Sequence, residues 1–231
     1  KFALNIKLRY MLRKVLSLLF FIGFIVNSNL IAQNCSGEVV AIGGADGTFE
    51  SLAGIASSYM INGDVTGGGW TNIDGSADSW ITPLPNNTQT GAAGGMSASP
   101  DGGIFAAVYS TSLFKESFST TITGLTIGKK YTLKFYITNA GSQTIPVGDL
   151  GQISVSFGSE TKLSDQMPFL GIGNQIWKEI TMEFTPTQVD QELKFSSVML
   201  PTIAYMGIDG IRMTTTSDTA NDAPVANNDG N

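Results

Sequence analysis

Short segments in which apolar and polar residues alternate restrict the fold of this chain more than any other feature. In residues 131–137 the alternation places Tyr131, Leu133, Phe135 and Ile137 on one face and polar side chains mainly on the other, as expected for a half-buried β-strand. Comparable segments indicate about eight or nine strands in all. They lie at residues 104–109, 118–122, 153–157, 180–184, 193–195 and 203–213.

Many short strands with one apolar face predict an all-β fold, an antiparallel β-sandwich or jelly roll. The 27 glycines and the lack of helical periodicity after the first 32 residues favour the same class. Residues 60–102 show no such alternation and contain Trp70 and Trp80, so we expect a long irregular loop there. Long loops inside a compact domain are usually functional or disordered, and the two tryptophans favour function.

The first 32 residues predict a signal peptide. Residues 1–14 contain five basic and no acidic side chains, residues 15–26 are almost entirely apolar, and cleavage is expected after Ala32. Met11 is a plausible true start. The apolar segment is short for a membrane span, although an uncleaved anchor helix is the alternative, and we expect no membrane insertion after cleavage. Lipid attachment at Cys35, the only cysteine, is disfavoured by Asn34 before it.

Charge restricts the partners. Residues 1–32 hold 5 of the 13 basic residues and none of the 19 acidic ones, so the rest of the chain has a net charge of 8 − 19 = −11. Nucleic acids and anionic membranes need clustered Lys and Arg, so neither is an expected partner. Divalent cations are compatible with this charge; acidity that only keeps a secreted protein soluble is the alternative.

The residue types present argue against an enzyme. The chain has no histidine, which excludes Ser–His and Cys–His nucleophilic sites and zinc sites built on histidine. A pair of carboxylates could still hydrolyse a glycoside, but the spacing of Asp74, Asp78, Asp101 and Glu116 distinguishes no acid from a base.

The C-terminal residues 215–231 have the composition of a linker. Their last nine residues, APVANNDGN, resemble the start of the immunoglobulin- or cadherin-like repeats of large bacterial adhesins. We therefore expect one domain at residues 38–214, at the N-terminus of a longer secreted or bacterial cell-surface protein.

Within this domain a series of short motifs is similar to the galactose-binding-domain-like jelly rolls, which include several families of carbohydrate-binding modules. The resemblance covers most of residues 44–214 and depends on the order of the motifs. They occupy residues 47–50 (GTFE), 69–70 (GW), 78–80 (DSW), 99–105 (SPDGGIF), 116–125 (ESFSTTITGL), 128–136 (GKKYTLKFY) and 207–212 (GIDGIR).

The resemblance implies a structural Ca²⁺ shared by a glutamate of the first strand and an aspartate of the last, here Glu50 and Asp209. Ca²⁺ accepts such carboxylate oxygens together with backbone carbonyl oxygens, for which Asp46 and Thr48 are candidates. Two carboxylates brought together would repel each other unless a hard cation lay between them. Two unrelated surface acids are the alternative. Asp46 also replaces the asparagine common at its position in the family, which puts the family geometry in doubt.

The resemblance also implies a site for an extracellular glycan or another cell-surface polymer. Aromatic planes pack against the C–H faces of sugars, and the candidates are Trp70, Trp80, Tyr109 and Tyr136, with Asp101 as a polar partner. Tyr136 points away from the apolar face of its strand. The function predicted is therefore non-catalytic binding or adhesion; a structural tip or spacer domain of an adhesin, or an accessory domain of a carbohydrate-active enzyme, are the alternatives.

Overall fold

A computed structural model describes residues 39–40, 42, 44–51, 60–61, 64–81, 96–141 and 145–215. The predicted signal peptide (1–32) and all but the first residue of the predicted linker (215–231) lie outside this part of the chain. Among the described residues no helix has the length and apolar character needed to cross a membrane.

The strands of the described residues form two main sheets and one small one. Sheet I has seven strands: β1 (Val39–Val40), β2 (Met60–Ile61), β4 (Asp78–Ile81), β5 (Ile104–Ser110), β7 (Tyr131–Asn139), β12 (Lys178–Phe184) and β14 (Ala204–Thr215). Sheet II has five: β3 (Thr71–Asp74), β6 (Ser117–Ile122), β9 (Ile153–Phe157), β10 (Glu160–Leu163) and β13 (Gln191–Ser197). The small sheet pairs β8 (Leu150–Gly151) with β11 (Met167–Pro168).

The strand order is that of a jelly roll. Sheet I runs β12-β7-β14-β5-β4-β2, with β1 beside β14, and sheet II runs β10-β9-β13-β6-β3. If β5, β6, β7, β9, β10, β12, β13 and β14 are numbered one to eight, sheet I contains the order 6-3-8-1 and sheet II the order 5-4-7-2. All pairings in the two sheets are antiparallel. Two interleaved Greek keys of this kind define the fold, and the predicted class is confirmed.

The alternation seen in the sequence corresponds to the burial of the strands. In β7, Tyr131, Leu133, Phe135 and Ile137 are buried, whereas the three residues between them are half-buried. The same pattern holds in β9 and β12. These inward side chains form one core between the sheets, since both sheets contribute members to a single apolar cluster.

The predicted loop at 60–102 is corrected by the structure. It contains a 3₁₀ helix at Asp64–Gly68 and the strands β3 and β4. Neither strand shows an alternation of apolar and polar residues, and each extends its sheet because its backbone pairs with β6 or β5. Residues 82–95 lie outside the described part.

Trp70 occupies the centre of the core. Its ring packs edge-on against Phe118 at 5.0 Å and Phe195 at 6.0 Å, and it stacks on Phe49 at 6.0 Å. The indole Nε1 donates a hydrogen bond of 2.9 Å to the carbonyl oxygen of Asp46. Phe49 has a φ of 58°, which is costly for a non-glycine residue, and its buried ring contacts oppose a relaxation of the backbone.

Removal of the Trp70 ring is therefore expected to destabilise the domain strongly. Trp70→Ala should lower the free energy of unfolding by about 3–5 kcal/mol, since it leaves a cavity and removes several aromatic contacts. Urea denaturation followed by circular dichroism measures this change. Leu113→Ala is the control, because Leu113 is 91% exposed; equal losses in the two variants would contradict a central role for Trp70.

Candidate functional site

Three adjacent strands of sheet I bring polar and aromatic side chains together on its outer face. Glu179 of β12 lies opposite Tyr136 of β7, and Tyr136 lies opposite Asp209 of β14. The row is built on paired strands, so the positions of its Cα atoms are fixed by the sheet.

An irregularity in β14 shapes this face. The register between β14 and β7 shifts between Asp209 and Arg212, and Gly210 has a φ of 60°. A Cβ atom at Gly210 would lie 2.8 Å from Cδ2 of Tyr136 and 3.0 Å from Cβ of Asp101. Glycine is therefore required both for the backbone conformation and for the close approach of Tyr136 and Asp101.

Arg212 connects the side chains of this face. Its Nη2 lies 2.8 Å from Oε2 of Glu179, its Nη1 lies 4.0 Å from Oδ1 of Asp101, and its Cζ lies 5.3 Å from the ring centre of Tyr136. Lys134 adds a second cation, 3.4 Å from Oε1 of Glu179. We call Asp101, Tyr136, Glu179 and Arg212 the Tyr136 platform; all four remain at least partly exposed.

Trp177 lies two residues before Glu179 of the platform. It precedes β12 by one residue, packs edge-on against Phe105 at 5.3 Å, and donates from Nε1 to the carbonyl oxygen of Ser97 at 3.2 Å. Its side chain is half-buried, so part of the indole is accessible beside the 97–101 loop that carries Asp101.

Asp209 is a fully buried carboxylic acid next to the platform. Ser99 Oγ donates to its Oδ2, and the backbone N–H of Gly210 donates to Oδ1 at 2.7 Å. Burial, together with the charges of Asp101 and Glu50, raises the pKa of Asp209 to about 7, although these hydrogen bonds oppose the shift. Near neutral pH this group needs a proton or a cation beside it.

Glu50 faces the same loop. Its Oε1 accepts the backbone N–H of Ile104 at 2.8 Å, and a Cβ atom at Gly102 would clash with its carboxylate. Glu50, Asp101 and Asp209 thus offer oxygen atoms, the ligands that Ca²⁺ prefers. The described residues nevertheless contain no group of three acidic, histidine or cysteine side chains with metal-site geometry. A cation there would need carbonyl or water oxygens as well.

Asp46 accepts its own set of short-range hydrogen bonds. Its Oδ1 accepts the N–H and the hydroxyl of Thr48 at 2.9 and 2.7 Å, and its Oδ2 accepts the N–H of Ser51 at 2.8 Å. Burial opposes ionisation, but these hydrogen bonds outweigh it and lower the pKa of Asp46. Asp46 and the Thr48 hydroxyl therefore close their own turn, and the assignment of backbone carbonyl oxygens of these two residues to Ca²⁺ stays a prediction.

Two of the predicted sugar-binding aromatic residues are also corrected. Trp70 and Trp80 are 2% and 0% exposed, so neither offers a ring face to a ligand. Tyr109 is half-buried between Tyr205, at 5.7 Å, and Phe114, at 6.2 Å. Of the five predicted ligand-binding residues, the structure brings Tyr136 and Asp101 together.

Glu116 is a second buried carboxyl group. Burial, followed by the charge of Asp78, raises its pKa to about 7. Its Oε2 accepts the backbone N–H of Tyr109 at 2.7 Å, and its Cγ lies against Gly75. These contacts join the turn before β4 to the end of β5, which is a structural role.

Two members of the platform, Glu179 and Arg212, were missed by the sequence analysis. Arg212 closes the GIDGIR motif of the last strand, and this position was the only sign in the sequence that it belongs to the site. Glu179 gave no signal, because its position opposite Tyr136 depends on the register of β12 and β7.

The fold and this face define a jelly-roll β-sandwich with a mixed aromatic and charged surface. No protein-family model matches the sequence, and no curated protein matches it. Several solved structures are similar to it.

One is the module TmCBM61, solved with β-1,4-galactotriose (13% identity, 63% of this chain and 88% of that chain, TM-score 0.38). Another is the CBM22-1 xylan-binding domain of Paenibacillus barcinonensis Xyn10C (10% identity, 80% of this chain and 98% of that chain, TM-score 0.41). A third is the K3 cleaved adhesin domain of Lys-gingipain from Porphyromonas gingivalis (14% identity, 63% of this chain and 91% of that chain, TM-score 0.39). Two further matches are to longer chains, of which this chain spans 21% and 27%. At these identities and TM-scores, none of them assigns a ligand to this chain.

The raised pKa of Glu116 makes stability depend on pH. The folded state keeps a proton on Glu116 between its ordinary pKa of 4.5 and about 7, whereas the unfolded state does not. The stability of the domain is therefore expected to fall as pH rises through this interval. Urea denaturation at pH 5, 6, 7 and 8 in EDTA measures it. Glu116→Gln keeps the acceptor for Tyr109 and should reduce the dependence, and the remainder is expected from Asp209, whose pKa is also raised to about 7; an unchanged slope would contradict the assignment.

Proposed function

We propose that this domain is a non-catalytic glycan-binding module of a secreted or cell-surface protein, with the Tyr136 platform as its binding face. One observation carries the proposal: two carboxylates and an aromatic ring lie 2.8 to 5.3 Å from the guanidinium of Arg212, on the strands and loop of one face.

The chemistry of the platform suits sugars. Guanidinium and carboxylate groups are planar and can each bond two neighbouring hydroxyl groups. The Tyr136 ring and the accessible part of Trp177 provide apolar surface for C–H groups. Since the platform residues other than Asp101 lie on paired strands, little conformational entropy is lost when they bind a ligand.

The charges of the platform favour binding over catalysis. Arg212 contacts both Glu179 and Asp101, so the two carboxylates of the platform share one cation. A glycosidase needs one carboxylic acid that is protonated near neutral pH and exposed to its substrate. Glu116 holds a proton near neutral pH but is buried and bonded to backbone N–H groups.

A glycan array probed with the purified protein tests this proposal. Tyr136→Ala and Arg212→Ala should each weaken binding to a recognised neutral glycan by about tenfold or more, since each removes a central contact. Phe114→Ala is the matched control, because Phe114 is another partly exposed aromatic residue, 43% exposed, outside the platform. A blank array from a folded sample would overturn the proposal and favour a tip or spacer domain. Equal losses in the Phe114 variant would also contradict it.

We also propose that a Ca²⁺ ion is held by Glu50 and Asp209, together with backbone or water oxygens and with Asp101 nearby. The support is electrostatic: Asp209 is buried, and the charges of Asp101 and Glu50 act on it. Bound Ca²⁺ would neutralise these carboxylates and hold the loop that carries Asp101.

Chelation is therefore expected to lower the melting temperature by several degrees, because a ligand that binds only the folded state stabilises it. Differential scanning calorimetry in CaCl₂ and in EDTA measures the difference. Asp209→Asn should melt at the same temperature in both buffers. Asp165→Asn, an exposed acid outside this cluster, should retain the full difference. A wild-type protein that is insensitive to EDTA would rule the ion out.

A further inference from the structure

The outer face of sheet II is lined with hydroxyl groups around one lysine. Lys194 lies on β13, the central strand of the sheet, directly opposite Ser156 of β9 and Ser119 of β6. Thr161 of β10 continues the row beyond Ser156, and the two hydroxyl oxygens are 2.9 Å apart. Ser119 is buried, but Ser156 is half-buried and Thr161 is exposed. Hydroxyl groups can both donate and accept, so these two can bond the hydroxyl groups of a sugar.

A groove of about 400 Å³ runs over this face, within the size range of small-ligand sites. Leu163 and Met199, 57% and 51% exposed, also line it and can pack against the apolar faces of sugar rings. None of the side chains that line the groove is acidic, and two of them, Lys115 and Lys194, are cationic.

Lys194 differs from most basic residues of the domain. Among the described residues only Lys129 and Lys194 have no carboxylate oxygen within 4 Å of their ammonium group. Lys115 lies 3.8 Å from Asp74, with both side chains more than one-third exposed. A surface pair of this length contributes little, so Lys115 can turn towards a ligand. The groove therefore has uncompensated positive charge in a chain with an acidic excess.

This charge distribution selects for a particular ligand. The acidic groups elsewhere repel anions, so the ammonium group of Lys194, which has no carboxylate oxygen within 4 Å, forms with Lys115 beside it a local site at which an anion is favoured. Ammonium, hydroxyl and aliphatic groups together match a sugar that has a charged substituent.

We propose that the groove on sheet II is a second glycan site, selective for acidic glycans, and that Lys194 contacts the carboxylate or sulfate group of the sugar. The groove lies on the opposite sheet from the Tyr136 platform. This proposal therefore does not depend on the function proposed for that platform.

Isothermal titration calorimetry of the whole protein tests the selectivity. The probes are tetragalacturonic acid, the same oligosaccharide with all carboxyl groups methyl-esterified, and a chondroitin sulfate tetrasaccharide. At least one anionic probe should bind about tenfold more tightly than the neutral ester, and raising NaCl from 50 to 300 mM should weaken it, because exposed charges are screened. The proposal would be overturned by either of two results. In the first, the acid and the ester bind equally and the sulfated probe does not bind; in the second, no anionic probe binds. Binding of only one anionic probe would identify carboxylate or sulfate as the group recognised.

Two lysine variants locate the site. Lys194→Gln should weaken binding of the acidic probe about tenfold, whereas Lys129→Gln, which removes the same charge from another unpaired lysine, should change it less than twofold. Equal losses in both variants would mean non-specific attraction and would contradict the site. The platform is tested with neutral glycans, whereas this site is tested by the difference between the acid and its ester and by Lys194→Gln, so failure of the platform proposal and failure of this one are distinguishable.

Discussion

The contact between the two sheets depends on a continuous series of aromatic rings. Phe49 packs on Trp70, Trp70 on Phe118 and Phe195, and Phe195 on Phe135 at 5.2 Å. Phe118 and Phe195 come from sheet II and Phe135 from sheet I, so the series spans the sandwich. With one cysteine in the sequence the chain cannot close an internal disulfide, and apolar burial has to provide most of the stability.

The same core positions both faces that we propose as binding sites. When Leu133 and Phe135 point into the core, the pleat of β7 turns Lys134 and Tyr136 outwards. In β13 the burial of Leu193 and Phe195 turns Lys194 outwards in the same way. The outward side chains therefore have defined positions without contributing to the core, and they can vary in chemistry while the fold is kept.

The sequence predicted the parts of the fold in which burial alternates. The long strands β5, β6, β7, β9, β12, β13 and β14 lie close to the predicted segments, because an apolar face is visible in the residue pattern. It did not predict β3 and β4, whose four residues pair through the backbone with little apolar alternation. For the same reason Trp70 and Trp80 were assigned to a loop, where a large aromatic residue suggests a ligand, whereas strand pairing and packing bury them.

The site was predicted in part, because the sequence does not show which residues strand pairing brings next to each other. Tyr136 and Asp101 could be chosen by residue type and by the alternation of β7. Glu179 and Arg212 become partners of Tyr136 only through the pairing of three strands and the shift of register after Asp209, which no local pattern encodes. Asp46 shows that residue type alone does not predict the contacts of a side chain. Its type suited a cation ligand, but in the structure its carboxylate accepts short-range hydrogen bonds from Thr48 and Ser51.

The two faces also differ in how their charges are compensated, and this difference has a physical consequence. On sheet I the cations Lys134 and Arg212 lie beside Glu179, so the face is nearly neutral and offers a ligand hydrogen bonds at fixed positions. On sheet II the cross-strand neighbours of Lys194 are serines and no carboxylate oxygen lies within 4 Å of its ammonium group, so this position offers attraction to an anion. A face of the first kind discriminates by the arrangement of hydroxyl groups, and a face of the second kind by charge. A sandwich that presents both can contact a polymer with neutral and acidic sugars through two independent surfaces.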